Sequence, residues 1–157
     1  MPQMEILRVC EDDMQEILEL QRLAFFEAGV RYNDPDTPPL TETLDDLIKD
    51  SEGHLFLKAV IGGRIAGTAR GRDEGGCCRI SKVMVHPDHR DKGIGKRLVE
   101  AIEKEFDVPV FRLRTGYLDE KNISFYKKLG YDIVGEREKI TDTLWFIHMV
   151  KEMPPRP

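Results

Sequence analysis

The sequence predicts an α+β fold in which one mixed β-sheet carries helices on both faces. Segments with strand and helix periodicity follow one another in the order β-α-α-β-β-β-α-β-α-β-β, with strands in the majority. No internal repeat or linker divides the 157 residues, and 40% of them are hydrophobic. A chain of this size can bury one proper core. We therefore expect a single domain over residues 1–157.

An edge strand and a helix are expected first. Glu5–Val9 has the composition of a short strand. Asp12 or Asp13 can accept hydrogen bonds from the free N–H groups of a first helical turn, and apolar residues then recur at helical spacing over 14–25. We expect Gly29 to end this helix.

A loop and a second helix complete the first third of the chain. Residues 29–40 contain three prolines and no apolar periodicity, which is typical of a binding loop. The second helix is predicted from Thr41 to about Lys49.

From residue 54 the periodicity changes to two, which predicts a meander of three strands. Residues 54–61 and 64–70 flank Gly62-Gly63, a common hairpin signal. A turn at 73–76 then leads to the third strand of the meander, 78–85.

Helices and strands alternate in the rest of the chain. Ile94, Leu98, Ala101 and Ile102 form the apolar stripe of a third helix that we expect to end near Phe106. The other predicted elements are a strand at 109–115, a helix at 119–129 that closes at Gly130, strands at 131–135 and 143–150, and a frayed tail at 152–157.

Composition argues against several classes of protein. The net charge of −5 disfavours non-specific binding to nucleic acid. No apolar run approaches the roughly 18 residues of a membrane span, and the first residues do not resemble a signal peptide, so we expect no membrane association. Three cysteines, two of them adjacent, favour a reducing cytoplasm over a disulfide scaffold. The four histidines lack metal-ligand spacing, so no metal is expected.

Charge is distributed unevenly along the chain. Residues 1–53 hold 4 basic and 14 acidic residues, whereas residues 54–157 hold 20 basic and 15 acidic residues. If the two stretches line one cleft, its two ends favour ligands of opposite charge. Solvated acidic helix faces would give the same count, so charge alone leaves both interpretations open.

The strongest functional signal lies between the third meander strand and the third helix. Arg90-Asp91-Lys92-Gly93-Ile94-Gly95-Lys96 is a basic turn with two glycines that leads into an amphipathic helix. The first N–H groups of a helix lack internal partners and carry about half a positive charge. Glycines let a ligand approach that backbone closely, and basic side chains add full charges. The segment predicts a site for two or more phosphates; the alternative is a glycine turn with a solvated basic rim.

Two common phosphate-binding motifs do not match this segment. A Walker loop requires glycine where Arg90 stands and Ser or Thr where Arg97 stands. A Rossmann fingerprint requires a third glycine where Leu98 stands. A nucleotide-binding protein is therefore disfavoured, and the spacing that remains is R-x-x-G-x-G.

This spacing, at Arg90–Gly95, resembles the acyl-CoA pyrophosphate loop of the GCN5-related N-acetyltransferases, the GNAT family. A second segment, Asn122-x-x-Phe125-Tyr126-x-x-Leu129-Gly130-Tyr131, resembles another segment of that family, at a fitting separation. The resemblance covers residues 78–135 well. It implies a GNAT-like central sheet of about seven mostly antiparallel strands, with residues 1–53 on the acceptor side and residues 54–151 as the sheet and coenzyme-binding core.

The resemblance also implies a place for acetyl-CoA as the co-substrate. The strands at 78–85 and 110–115 would separate, and backbone groups of Val83 and Val85 would pair with the pantetheine amides. Asn122 would contact the same arm. Arg90 would support the loop whose amides hold the pyrophosphate, formed by Asp91, Lys92, Gly93, Ile94, Gly95 and Lys96.

The implied activity is direct acetyl transfer from the thioester to an amine. A backbone N–H near Val85 would stabilise the negative charge that develops on the carbonyl oxygen. Tyr126 would be the general acid that protonates the leaving thiolate; its alternative role is that of a core tyrosine beside Phe125. No general base is assigned, because nothing distinguishes the candidates from ordinary surface residues: Glu27, Asp73, Glu74 and His86.

The acidic first third is expected to face the acceptor, since the first two helices form that side of the cleft in the family. Glu27 and Tyr32 are the candidate substrate-binding residues. They belong to a larger set with Asp34, Asp36, Glu42, Asp45 and Asp46. We expect a cationic acceptor: a polyamine, an aminoglycoside-like amine, or a lysine or N-terminal amine of a peptide. The alternative function is a CoA-binding sensor or interaction module without catalysis. A homodimer through an edge strand such as 143–150 is expected from the frequency of symmetric oligomers.

Overall fold

Seven strands form one sheet in the computed structural model, which describes residues 3–34, 36 and 38–155. The strands are β1 Met4–Arg8, β2 Leu55–Ile61, β3 Arg64–Asp73, β4 Cys77–Val85, β5 Val110–Gly116, β6 Asp132–Lys139 and β7 Trp145–Glu152. The helices are α1 Met14–Arg31, α2 Pro38–Thr41, α3 Leu44–Glu52, α4 Ile94–Glu105 and α5 Glu120–Lys128, and short 3-10 helices lie at Glu11–Asp13 and Pro87–His89.

The sheet is mixed but mostly antiparallel, as predicted. Its order is β1-β2-β3-β4-β5-β7-β6, and only the β4–β5 pair is parallel. The Gly62-Gly63 hairpin joins β2 to β3, with both glycines in the left-handed region. The α+β architecture inferred from element order is therefore confirmed.

Helices cover both faces of the sheet because strand residues alternate between two hydrophobic clusters. Phe56 belongs to the cluster under α1 and α3, whereas its neighbour Leu57 belongs to the cluster under α4 and α5. Ile65 and Ala66 on β3 divide in the same way. Such alternation is what a pleated strand imposes. We call the first face, which carries residues 1–53, the acceptor face.

The first helix is longer than predicted. Gly29 is buried inside α1, and the residue that takes the left-handed conformation after the helix is Asn33, with φ 50°. Asp13 stands at the start of α1, but its carboxylate accepts from the Cys10 N–H at 2.8 Å and from Lys58 at 2.7 Å. Asp13 therefore caps the preceding 3-10 turn and not the first turn of α1.

The segment between the two predicted helices is partly helical. The short helix α2 occupies its end, and Pro35 and Thr37 lie outside the described residues. The next helix begins at Leu44 because Thr43 caps it: Thr43 Oγ1 accepts from the Asp46 N–H at 3.1 Å, and Asp46 accepts from the Thr43 N–H at 3.2 Å. This capping box places the start of α3 three residues later than expected.

The last strand begins and ends two residues later than predicted, so it includes Glu152 of the predicted tail, and its place in the sheet also differs. Strand β7 lies between β5 and β6, so residues 143–150 are not an edge strand available to a second copy. The two sheet edges are β1 and β6, and β6 carries a bulge at Gly135. Of the predicted tail, Arg156 and Pro157 lie outside the described residues. Within the described part of the chain, no helix combines the length and apolar character needed to cross a membrane.

Candidate active site

Strands β4 and β5 separate and leave a gap between them, as expected. They pair only from Cys77 to Arg79 on β4, opposite Val110 to Arg112 on β5. Beyond this point β5 continues along β7, while β4 stays with β3. The second half of β4 therefore has no strand neighbour on its β5 side among the described residues.

The backbone of Val85 faces this gap. The His86 N–H donates to the Ala66 carbonyl of β3 at 2.7 Å. Because backbone groups alternate sides along a strand, those of Val85 point away from β3. Val83, two residues earlier, shares that direction.

The basic turn ends in an open helix N-terminus. Gly93 precedes α4 in the left-handed conformation, with φ 78°, and no side chain caps the helix. Asp91 is also left-handed, with φ 62°. Because α4 begins without a side-chain acceptor, its first amides are positioned to receive an anion. Around them, Lys92 and Lys96 are exposed, whereas Ile94 is buried in the core.

Two surface ion pairs lie at this turn. Arg90 contacts Glu27 of α1 at 3.1 Å, and Asp91 contacts Lys121 of α5 at 3.3 Å. Arg90 was expected at the coenzyme and Glu27 at the acceptor, and the structure brings the two side chains together. The pair links the loop to the acceptor face.

Gly95 has a packing role that differs from the one expected. A Cβ at this position would lie 3.2 Å from the Phe125 ring and 3.8 Å from the Val85 side chain. The missing side chain thus lets α5 approach the first turn of α4 and the end of β4. The positive φ of Gly93, with no atom near its would-be Cβ, fits the original expectation of an open backbone.

Tyr126 lies on α5, next to the ring that packs on Gly95. Its ring is 5.0 Å from that of Phe125, and the residue is 7% exposed. Burial raises the pKa of the phenol well above its usual value, and Asp119 adds to this effect. Burial and the Asp119 charge are the influences on this phenol, and no hydrogen bond to its hydroxyl is found among the described residues. A protonated, unengaged hydroxyl therefore lies on the helix that borders the gap.

Asn122 stands one turn before Tyr126, near the start of α5. Its backbone N–H donates to Asp119, which caps the helix, at 3.1 Å. The side chain is exposed. Asn122 and Tyr126 therefore lie on the same helix, which the Gly95 contact brings against the loop.

Tyr32 closes the acceptor face at the end of β5. Its hydroxyl accepts from the Leu118 N–H at 3.0 Å, and a Cβ on Gly116 would lie only 2.1 Å from that oxygen. Burial is the main cause that raises the pKa of Tyr32, against the Leu118 hydrogen bond. Tyr32 is buried, whereas the Glu27 side chain is 62% exposed.

Several acidic residues of the predicted acceptor side already have partners. Asp46 caps α3, and the Thr43 N–H is the main cause that lowers its pKa. Glu42 accepts from Lys82 of β4 at 3.1 Å and from Gln21 of α1 at 2.9 Å. A candidate general base also has a partner, since Glu74 pairs with Arg79 at 2.9 Å. No general base follows from these contacts.

A buried charged cluster on the acceptor face was missed by the sequence analysis. Arg70 and Gln21 are fully buried, and Arg70 contacts Asp50 closely. We call Gln21, Glu42, Asp50, Arg70 and Lys82 the acceptor-face cluster. Its sequence signal is weak: two basic residues, Arg70 and Lys82, inside segments that otherwise read as core strands.

The cysteines and histidines form no metal centre among the described residues. Cys78 is buried, and burial raises the pKa of its thiol to about 12. Such a thiol stays protonated, which agrees with a packing role. Cys77, on the other side of the strand, is half-buried, and all three cysteines are free.

Comparison with known proteins gives a consistent result. A family model described as the acetyltransferase (GNAT) family matches residues 14–131. The acetyltransferase SG1711 of Sodalis glossinidius is 29% identical over 134 residues, which cover 83% of this chain and 88% of that protein.

Solved structures show the same fold at low sequence identity. The ribosomal-protein-S18-alanine N-acetyltransferase of Escherichia coli has a TM-score of 0.78 at 18% identity, covering 99% of this chain and 97% of the other. An aminoglycoside 6′-N-acetyltransferase complexed with coenzyme A has a TM-score of 0.76 at 22% identity, covering 98% of this chain and 99% of the other.

Proposed function

The chain belongs to the acetyltransferase (GNAT) family, and from that premise we propose that it moves the acetyl group of acetyl-CoA directly to a primary amine. The observation that carries the proposal is the β4–β5 gap, which ends beside the uncapped start of α4. A linear coenzyme with a diphosphate and an amide-containing arm matches these two features. No acyl-enzyme is needed, because the amine itself is the nucleophile.

The diphosphate binds to the amides of residues 91–96. Anions at a helix N-terminus are stabilised by free N–H groups and by the helix dipole. Lys92 and Lys96 supply charge from exposed positions, while Arg90 supports the loop through Glu27. No metal is required for this binding, since the counter-charges are side chains and amides.

The pantetheine arm lies along the unpaired side of β4. Its amides pair with the backbone of Val83 and Val85, which a β5 neighbour would otherwise occupy, and Asn122 contacts the arm from α5. This arrangement places the thioester beside the Val85 N–H and near Tyr126.

The chemistry uses these groups in order. The amine nitrogen attacks the thioester carbonyl carbon, and the Val85 N–H stabilises the developing oxyanion. The carbon–sulfur bond then breaks, and Tyr126 donates its proton to the CoA thiolate. The new amide nitrogen loses its extra proton to solvent, and the Tyr126 phenolate takes a proton back from solvent. A positioned donor of this kind contributes about 10²–10⁴-fold.

The acceptor is proposed to be cationic, a small molecule or a peptide amine. The support is the acidic balance of residues 1–53 and the Glu27 carboxylate beside the coenzyme loop, which is 62% exposed although Arg90 contacts one of its oxygens. Tyr32 shapes the wall of the acceptor site. The three free cysteines of the chain agree with a reaction in the reducing cytoplasm.

The test is a panel of amines assayed for free CoA at fixed acetyl-CoA. Polyamines, an aminoglycoside and lysine peptides are compared with neutral and anionic amines of similar size. We expect CoA release with cationic amines. Release only with anionic amines would contradict the proposed acceptor class. Binding of acetyl-CoA without release for any amine would favour the sensor function instead.

A further inference from the structure

Strand β4 carries a bulge where it leaves β5. Thr68 lies opposite Met84 and Arg70 lies opposite Ser81, so Lys82 and Val83 together face the single residue between them on β3. Lys82 has a φ of 47°, in the left-handed region that residues with a side chain seldom adopt. Such a conformation persists only where the surrounding structure holds it.

An ion pair from the acceptor face holds Lys82. Its Nζ lies 3.1 Å from Glu42 Oε2, and the two side chains are 23% and 13% exposed. The other Glu42 oxygen accepts from Gln21 Nε2 at 2.9 Å, and Gln21 also donates to the Pro39 carbonyl at 3.1 Å. The carboxylate is thus fixed by Gln21 of α1, which is itself held by the backbone of α2.

Arg70 ties the rest of the acceptor-face cluster together. Its Nη2 donates to Gln21 Oε1 at 2.9 Å and lies 3.6 Å from Glu42 Oε1, and its Nη1 contacts the Asp50 carboxylate of α3. The guanidinium also lies 4.6 Å from the centre of the Phe56 ring. A buried charge with several partners is strongly constrained, since losing one partner leaves the others uncompensated.

The charge on Lys82 depends on this surrounding. Burial is the main cause that lowers the pKa of Lys82, and Arg70 acts in the same direction. Glu42 opposes both through its hydrogen bond and its charge. Removing the Glu42 carboxylate would therefore lower the pKa of Lys82 further and would also remove the contact.

We propose that the Glu42–Lys82 ion pair is a positioning device that holds the β4 bulge, so that the backbone of Val83 and Val85 faces the coenzyme gap. Neither side chain touches acetyl-CoA in this account. The pair acts through the strand and joins the acceptor face to the coenzyme strand. The inference rests on the proposed function, because the direction of this backbone matters only with a coenzyme in the gap.

The experiment compares Lys82→Met and Glu42→Gln with a matched control, Lys58→Met. Lys58 Nζ lies 2.7 Å from Asp13 Oδ2, and both side chains are 15% exposed. This pair is as buried as Glu42–Lys82 but lies on β2, two strands from β4. Three readouts are needed: the acetyl-CoA Kd by calorimetry, KM and kcat, and Tm.

Lys82→Met and Glu42→Gln are expected to weaken acetyl-CoA binding and kcat/KM for acetyl-CoA by about tenfold, the size of coupling expected for residues outside the contact surface. The KM for the amine should change less than about twofold, and Lys82→Arg, which keeps the charge, should retain most activity. Lys58→Met should lower Tm to a similar degree with acetyl-CoA constants near those of the wild type.

Equal Tm losses in Lys82→Met and Lys58→Met, with unchanged acetyl-CoA constants in both, would overturn the inference. Should Lys82→Met fail to fold, Glu42→Gln and Lys82→Arg decide by the same comparison. If the wild type binds acetyl-CoA but transfers to no amine, the proposed function fails while calorimetry still tests the positioning role. If the wild type does not bind acetyl-CoA, both are overturned.

Discussion

Tyr126 and Tyr131 are neighbouring buried tyrosines with different surroundings. Their ring centres are 6.0 Å apart, and burial is the main cause that raises the pKa of each phenol. The Tyr131 hydroxyl donates to Glu103 Oε2 at 2.7 Å, and Lys151 contacts the same carboxylate at 3.1 Å. No hydrogen bond to the Tyr126 hydroxyl is found among the described residues.

The difference shows which property points to function. Burial and a raised pKa are common to both tyrosines, so neither property separates a catalytic phenol from a structural one. Buried hydroxyls usually find a partner, and Tyr131 has one inside the protein. The Tyr126 hydroxyl, on the helix beside the gap, is the one that we propose to meet the CoA thiolate.

The largest expected effect is that of Tyr126→Phe on turnover. Removing the hydroxyl removes the proton donor for the thiolate, so kcat should fall about 10²-fold or more. Tm should stay close to the wild-type value, because no hydrogen bond to a described residue is lost. Thiol release measured from pH 6 to 9 checks both the size and the pH range of the effect. Unchanged turnover would make the two tyrosines equivalent and remove Tyr126 from the mechanism.

Gly95→Val should move Tyr126 without altering it. The new side chain would meet the Phe125 ring, which a Cβ alone already approaches to 3.2 Å, and would displace α5 from the loop. Overpacking of this kind costs about 1–3 kcal/mol, so we expect the KM for acetyl-CoA to rise about tenfold.

The control for this change is Gly53→Ala, at a position where a Cβ would meet no atom within 4 Å. Its KM should match the wild type. A wild-type KM in Gly95→Val would mean that the α4–α5 contact does not position the coenzyme site.

Tyr131→Phe should reverse the pattern of Tyr126→Phe. The change removes a hydrogen bond to a largely buried carboxylate, which costs about 1–3 kcal/mol. For a chain of this length Tm should fall by roughly 2–10 °C. Steady-state kinetics at a temperature where the variant is folded should give a wild-type kcat. A large loss of kcat at full stability would contradict the division between the two residues.

The smallest effect at neutral pH is the linkage of both phenols to stability. A folded-state pKa raised above the unfolded value of 10.0 means that the folded protein holds these protons more tightly. The stabilisation is complete below pH 10 and is lost as pH rises beyond it, because the unfolded phenols ionise first. Tm measured from pH 8 to 11, with tyrosinate absorbance as the second readout, checks this. Tyr131→Phe should show a shallower alkaline decline, and an equally steep one would argue against Tyr131 as its source.

Much of the fold could be predicted because local signals agreed with tertiary packing. The apolar stripe Ile94–Leu98–Ile102 is the buried face of α4. Gly130 closes α5 with a φ of 100°. Helix ends that are set by side chains were harder to predict. Several polar residues precede α3, and the sequence does not show that Thr43 is the one that caps it. The interior position of β7 was not visible, because strand order depends on long-range pairing rather than on local pattern.

The candidate site was predictable where its parts are contiguous in sequence. The Arg90–Gly95 turn and the Asn122–Tyr126 helix each contain their own spacing signal. The Glu42–Lys82 pair contains none, because its members are 40 residues apart and meet only through a bulge. The packing role of Gly95 was hidden for the same reason, since its partner Phe125 lies on another helix.

A crystal structure of the protein with bound acetyl-CoA is the sharpest test of the proposed coenzyme site. We expect the diphosphate on the amides of residues 91–96, the arm between β4 and β5, and the thioester sulfur within about 3.5 Å of the Tyr126 hydroxyl. A coenzyme bound elsewhere, or a sulfur atom far from Tyr126 with the gap empty, would contradict it.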